Sequence, residues 1–308
     1  MNTRTLLTAG LVVLTAAACT GRQEENAIPP ADEAWVEQVE AWRATHEADY
    51  RRDWVSIAGL HFLDQGTVRV GSANTNDIVL AASVPATIGQ LIVRDGRIRY
   101  EPEPGVPVLQ NGQPVTGPLV LKEPGTPPAD EITIDNVRLV IHESGGRLAL
   151  RVRDPDGPFV REFAGFTWFP IDPDYRVTGR FVEDPAPRTV PVLNTFGDED
   201  FYPTEGVIEF TLQGETLRLR PFTTRPNRFY IVFRDASSGD ETYATARFLY
   251  ADLRDDGTTV LDFNEAYNPP CAFNPYTTCP IPMPENRLPV KILAGEKAYV
   301  GEVPTPTF

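Results

Sequence analysis

Histidine, cysteine and lysine are all scarce in this chain of 308 residues, with three of each. His46, His61 and His142 show no metal-ligand spacing, so a His-Glu-x-x-His zinc hydrolase is excluded as a motif. No histidine follows His142. The serines of Arg234-Asp235-Ala236-Ser237-Ser238-Gly239 therefore lack a nearby base, and no Gly-x-Ser-x-Gly elbow surrounds them. A phosphate-cradling glycine loop and a dinucleotide fingerprint are also missing. Positive charge runs short, with 28 basic residues against 43 acidic ones and a net charge of -15. Such a surface repels phosphate backbones, which excludes nucleic acid as a partner. Beyond the N terminus no apolar run approaches the roughly eighteen residues of a membrane-spanning helix.

What is present begins with a leader. Arg4 supplies a positive start, Leu6 to Leu14 an apolar run, and Ala16-Ala17-Ala18 small residues ahead of Cys19. The pattern over residues 1–18 resembles a bacterial lipoprotein signal. That resemblance implies a lipid on Cys19, a polar tether over 19–31 and the membrane as a partner through the anchor. Gly21 stands where Asp would argue for inner-membrane retention, so the periplasmic face of the outer membrane is favoured. With Cys19 acylated, Cys271 and Cys279 are the remaining thiols of an oxidising compartment. A disulfide between them is the simplest expectation, contributing roughly 2.5 kcal/mol by loop closure. A soft-metal pair, or free thiols that are reactive or inert, are the alternatives.

Hydrophobic residues make up 41% of the chain and aromatics 10%, enough to build real cores in one large or two ordinary domains. Trp35, Val39, Trp42 and His46 recur on a 3.6-residue period, predicting an amphipathic helix within 32–53 with Asp32 as its cap. Its two tryptophans are expected to pack on the first β domain. After Trp54 short extended runs alternate with turns, and Asp95-Gly96 and Asn111-Gly112 read as hairpin turns. The fold class is all-β: a first sandwich over 54–143, then a second antiparallel sandwich or barrel-like domain over 144–308. Arg147 to Arg153 opens the second set, in which Phe229, Ile231 and Phe233 alternate onto one face.

The richest segment for chemistry is the proline-bracketed loop 262–286. Asp262 and Glu285 are candidate catalytic acids, Asp262 as a base or hard-cation ligand and Glu285 assisting. Asn264, Tyr267, Asn268, Tyr276 and Asn286 offer ligand-binding amides and phenols, and Arg234 and Arg247 could take a carboxylate or phosphate. Glu296 is a further acid. The competing reading is that the amides cap and brace an irregular loop. Neither a metal nor a cofactor is specified.

From Trp54 onward the chain resembles a family catalogued as domain of unknown function 1684. The carrying residues are Arg52-Asp53-Trp54-Val55-Ser56-Ile57-Ala58-Gly59-Leu60, Phe163-Ala164-Gly165, Arg247-Phe248-Leu249-Tyr250 and the whole span from Asp262 to Asn286. The resemblance implies no activity. Val70-Gly71-Ser72, Asn76-Asp77-Ile78 and Asn111-Gly112 also resemble the skeleton of a forkhead-associated (FHA) domain, a sandwich that in many proteins reads phosphothreonine. Here Ser72 stands where such domains commonly place Arg, and no Ser-x-x-His follows Leu80, so the phosphate readers do not carry over. The expectation is an envelope lipoprotein binding a small polar ligand or an envelope protein through the 262–286 loop. An acid/base or metal-assisted hydrolase using Asp262 and Glu285 is the alternative.

Overall fold

The computed structural model describes residues 33–305. The leader, Cys19 and the Asp32 cap lie outside the described residues. Helix α1 (Glu33–Tyr50) runs into a wider π turn at Arg51–Val55, and the rest is almost entirely antiparallel β. Among the described residues no helix is long and apolar enough to cross a membrane.

The first unit contains β1 (Ile57–Phe62), β2 (Gly66–Gly71), β3 (Ile78–Val79), β4 (Gly89–Arg94), β5 (Arg97–Pro102) and β6 (Leu109–Gln110). It continues through β7 (Gln113–Pro114), β8 (Leu119–Val120), β9 (Glu131–Ile134), β10 (Val137–Ser144) and β11 (Arg147–Arg153). Two sheets, ordered β1-β11-β10-β9-β6-β7 and β3-β2-β4-β5-β8, face each other. Strand alternation turns Leu91, Val93, Ile98 and Tyr100 inward against Ile132, Ile134, Leu139 and Leu150, making one continuous core. Asp95 and Asn111 take the positive φ that their two-residue turns require. Ser72 and Asn76, part of the FHA-like skeleton, spend their side chains on the carbonyls of Val84, Ala73 and Ala86. β11 departs from expectation. It pairs with both β1 and β10, so it completes the first sheet instead of opening the second set.

The second unit comprises β12 (Arg176–Leu193), β13 (Glu199–Leu212), β14 (Glu215–Leu219), β15 (Phe222–Arg225), β16 (Arg228–Phe233), β17 (Arg247–Asp252) and β18 (Thr258–Asp262). A sheet ordered β14-β13-β12-β18 packs on the three strands β15-β16-β17. Phe229, Ile231 and Phe233 point into the core between them, beside Ile208, Phe210, Leu249 and Phe263. Each such side chain contributes about 1.5–3 kcal/mol by leaving water. Pro185 and Pro187 make β12 look like two strands in sequence. Both fall in the register gap between Glu183 and Arg188, where no ladder bond is needed from them.

The outer face of β16 and β17 carries Tyr230, Val232, Phe248 and Tyr250, and this is where α1 docks. The tryptophans of α1 therefore pack on the second unit and not on the first. Trp42 lies 5.9 Å from Trp168 and 6.2 Å from Tyr267 by ring centroid. Trp35 has an indole N–H that burial obliges to find an acceptor, and Asp262 supplies it at 2.8 Å. Arg43 completes the docking by donating to the carbonyls of Phe169 and Asn264.

Candidate functional site

β18 ends at Asp262, whose Oδ1 accepts the backbone N–H and the side-chain amide of Asn264 at 3.1 and 3.0 Å. Its Oδ2 takes the Trp35 indole and pairs with Arg176 at 3.3 Å. Both oxygens are thus engaged in closing the strand end. Asn264 grips Asp172, accepting its N–H and donating to its carbonyl, both at 2.9 Å. The side chain of Asn268 donates to the Lys297 carbonyl at 2.7 Å, while its backbone N–H donates to Glu296 Oε2 at 2.8 Å. Asn286 donates to the carbonyls of Arg220 and Val232 at 2.8 and 2.9 Å and accepts the Arg220 N–H at 2.7 Å. All three asparagines are fully buried. Each satisfies backbone groups that no ladder reaches, so the amides brace the loop. Gly295 is part of the same closure: a Cβ there would sit 2.2 Å from the Ala266 carbonyl oxygen.

Asp262 and Glu285 are not brought together. Glu285 is half exposed and pairs with Arg220 at 2.7 Å, and Arg220 also holds Asp184 at 2.6 Å. Arg176, the partner of Asp262, begins the strand on which Asp184 lies eight residues further along, roughly 25 Å of extended chain. Arg247 is fully buried, paired with Asp235 at 2.9 Å and donating to the carbonyls of Ile292 and Ala294. Arg234 is half-buried, and its backbone brackets the loop through Asn286 and Leu288. Tyr267 is buried under α1, where its ring lies 4.5 Å from that of His46.

Burial governs the electrostatics here. The Glu296 carboxyl is pushed up to about 8 by burial, against the opposing hydrogen bonds of Asn268. Glu265 rises to about 7 through burial and the neighbouring Asp262 charge. His46 falls to about 4 because its half-buried ring is packed among aromatics and resists protonation.

Cys271 and Cys279 do not form the expected disulfide; both are free thiols. Cys279 Sγ accepts the Cys271 N–H at 3.3 Å, and its thiol donates to Thr277 Oγ1 at 3.7 Å. Tyr243 donates to the Cys271 sulfur at 3.8 Å. The intervening turn needs no cross-link for its shape. Asn274 already ties it down, donating to the carbonyls of Trp54 and Ile57 at 3.0 and 2.8 Å.

A cavity of about 650 Å³ opens where the segment 55–58, the turn 154–162, the tail 302–305 and the loop residues Asn274 and Tyr276 meet. Phe159 and Val160 give it an apolar wall. Asp154, Glu162 and Glu302 give it three carboxylates, and among the described residues no Lys, Arg or His lines it. Asp154 is 6% exposed; its Oδ1 accepts the Asp156 N–H at 2.9 Å, and its Oδ2 has no protein partner among the described residues. Sequence reading found Tyr276 but missed the pocket, because its walls come from four remote segments. The turn Asp154-Pro155-Asp156-Gly157-Pro158 was the available signal.

A family profile described as "Protein of unknown function (DUF1684)" matches residues 161–297, which takes in most of the second unit and the whole loop. Among solved structures, the NMR structure of an uncharacterized protein from Haloarcula marismortui is 32% identical, over 46% of this chain and 80% of that one, with a TM-score of 0.39. The N-terminal FHA domain of EssC, a component of the bacterial type VII secretion apparatus, is 17% identical over 32% of this chain and 47% of its own, with a TM-score of 0.26. Mycobacterium tuberculosis EmbR, solved with a low-affinity phosphopeptide, is 18% identical over 40% and 32% respectively, at a TM-score of 0.22. No curated protein matches the chain.

Proposed function

The chain belongs to the DUF1684 family, a grouping with no assigned activity, and from that premise we propose that it is a binding protein for a small ligand that joins a cationic group to an apolar body. The observation carrying this reading is Asp154, a buried carboxylate with a spare oxygen in a cavity that no basic side chain lines among the described residues. A carboxylate oxygen that no protein donor takes up, on the wall of such a cavity, is a ready partner for a ligand cation. Phe159 offers a ring for the same cation, and the volume of about 650 Å³ falls within the range of small-molecule sites. On this reading the 262–286 loop serves the site indirectly. Asn274 pins the turn that presents Tyr276 to the cavity.

The two-acid hydrolase reading draws no support from the geometry, since Asp262 and Glu285 belong to separate ion-pair groups. An envelope address through a lipid on Cys19 is carried with the proposal, and the mass of the mature N terminus tests it.

The test of binding is native mass spectrometry and thermal shift with a panel of alkyl and aryl amines, matched against their neutral and carboxylate isosteres. Amines should bind and raise Tm, and Asp154→Asn should cost at least tenfold in affinity. Equal binding of the neutral isosteres, or amine affinity untouched by Asp154→Asn, overturns the proposal.

A further inference from the structure

Beside the thiol turn sits a buried charge that no carboxylate among the described residues pairs with. Arg151 is 8% exposed, its Nε has no hydrogen-bond partner, and it makes no ion pair among the described residues. Its guanidinium lies over the Trp54 ring at 5.6 Å, and the Trp54 carbonyl is tied at 3.0 Å to Asn274, in the middle of the turn that carries both cysteines. A buried guanidinium ordinarily demands an anion. Among the described residues, the Cys279 thiol lies within electrostatic reach and can become one. Cys279 is buried and Cys271 half-buried.

We infer that Cys271 and Cys279 form a two-thiolate site for a soft monovalent metal ion of the copper(I) class, with Arg151 as counter-ion to the resulting complex. Ligand number selects against zinc. Structural zinc needs four donors, and among the described residues no group of three His, Cys, Asp or Glu side chains converges on one point. Two thiolates suffice for a linear d10 ion, and thiolate softness favours copper(I). Charge selects in the same direction. Two thiolates around a monovalent ion leave one net negative charge, which Arg151 matches, whereas a divalent ion would leave none. In the binding step two S–H bonds break, two metal–sulfur bonds form and two protons leave to solvent, with no change of oxidation state. The site is independent of the amine cavity, whose lining includes neither cysteine.

The experiment is copper(I) competition against bicinchoninate, performed anaerobically on the reduced chain, with X-ray absorption on the loaded protein. Expected are one copper per chain, two sulfur neighbours and no nitrogen. Affinity should rise by up to about 100-fold per pH unit while both thiols are protonated. Cys271→Ser and Cys279→Ser should each abolish high-affinity binding. Arg151→Gln should weaken it about tenfold or more, and Arg151→Lys should restore most of it. Affinity no better than that of free glutathione, a coordination shell containing nitrogen, or zinc binding more tightly than copper(I) each overturns the inference. The pH dependence and absorption spectrum of the unmutated chain decide the matter even if a variant fails to fold.

Discussion

Replacing Asn286 by alanine tests whether the proline-bracketed loop is built for bracing. The side chain is fully buried and makes three hydrogen bonds: two donated to the carbonyls of Arg220 and Val232, one accepted from the Arg220 N–H. Truncation removes all three and leaves their backbone partners in a space too tight to hydrate freely. An orphaned buried group costs about 1–3 kcal/mol, the N–H being the most demanding, so the expected loss is about 3–5 kcal/mol. That is a large part of the roughly 5–15 kcal/mol by which such a protein is stable. In urea titration the midpoint should fall while the slope m stays constant, since the unfolded surface is unchanged. Asn286→Asp should do no better, because a carboxylate cannot donate to the two carbonyls. A loss below about 1 kcal/mol, especially with ligand affinity reduced, would show that Asn286 faces a ligand and would refute the bracing argument.

Two further outcomes follow from the same geometry. The folded-state pKa of Glu296, about 8, lies above its ordinary value of 4.5, so the native state holds a proton that the unfolded chain releases. Its contribution to stability is therefore complete below about pH 4.5 and is lost as pH rises toward 8. Tm–pH curves should show that decline flattened in Glu296→Gln, and parallel curves for the two proteins would refute it. Glu285→Ala should change stability by less than about 1 kcal/mol, because its carboxylate is half exposed and Arg220 keeps Asp184; urea titration checks this.

Period and turn chemistry made much of the fold legible. The alternation of Phe229, Ile231 and Phe233 marked the core face of β16, and Asp95-Gly96 and Asn111-Gly112 marked true reversals. The stripe of α1 showed which residues are covered but not what covers them, because a helical period carries no information about a partner far along the chain. At β12, Pro185 and Pro187 occupy a bulge inside one long strand, which an alternation pattern does not reveal. The polar density of the 262–286 loop was visible, yet composition cannot tell an amide aimed at a ligand from one aimed at a carbonyl. Asn264, Asn268 and Asn286 bond to backbone supplied by remote segments. The cavity around Asp154 was hidden for the same reason.

The docking of α1 also sets a schedule for synthesis. Trp35 and its acceptor Asp262 are 227 residues apart, with the whole first sandwich encoded between them. At the ribosomal pace of about 5–20 residues per second, the helix waits roughly 11–45 s for the strand end it must cap. During that interval its stripe of Trp35, Val39 and Trp42 has no native surface to meet, while the sandwich that follows can close on its own core. The first part of the described chain to be made is thus among the last to be secured, and its tryptophans are where a nascent-chain holding factor would find its grip.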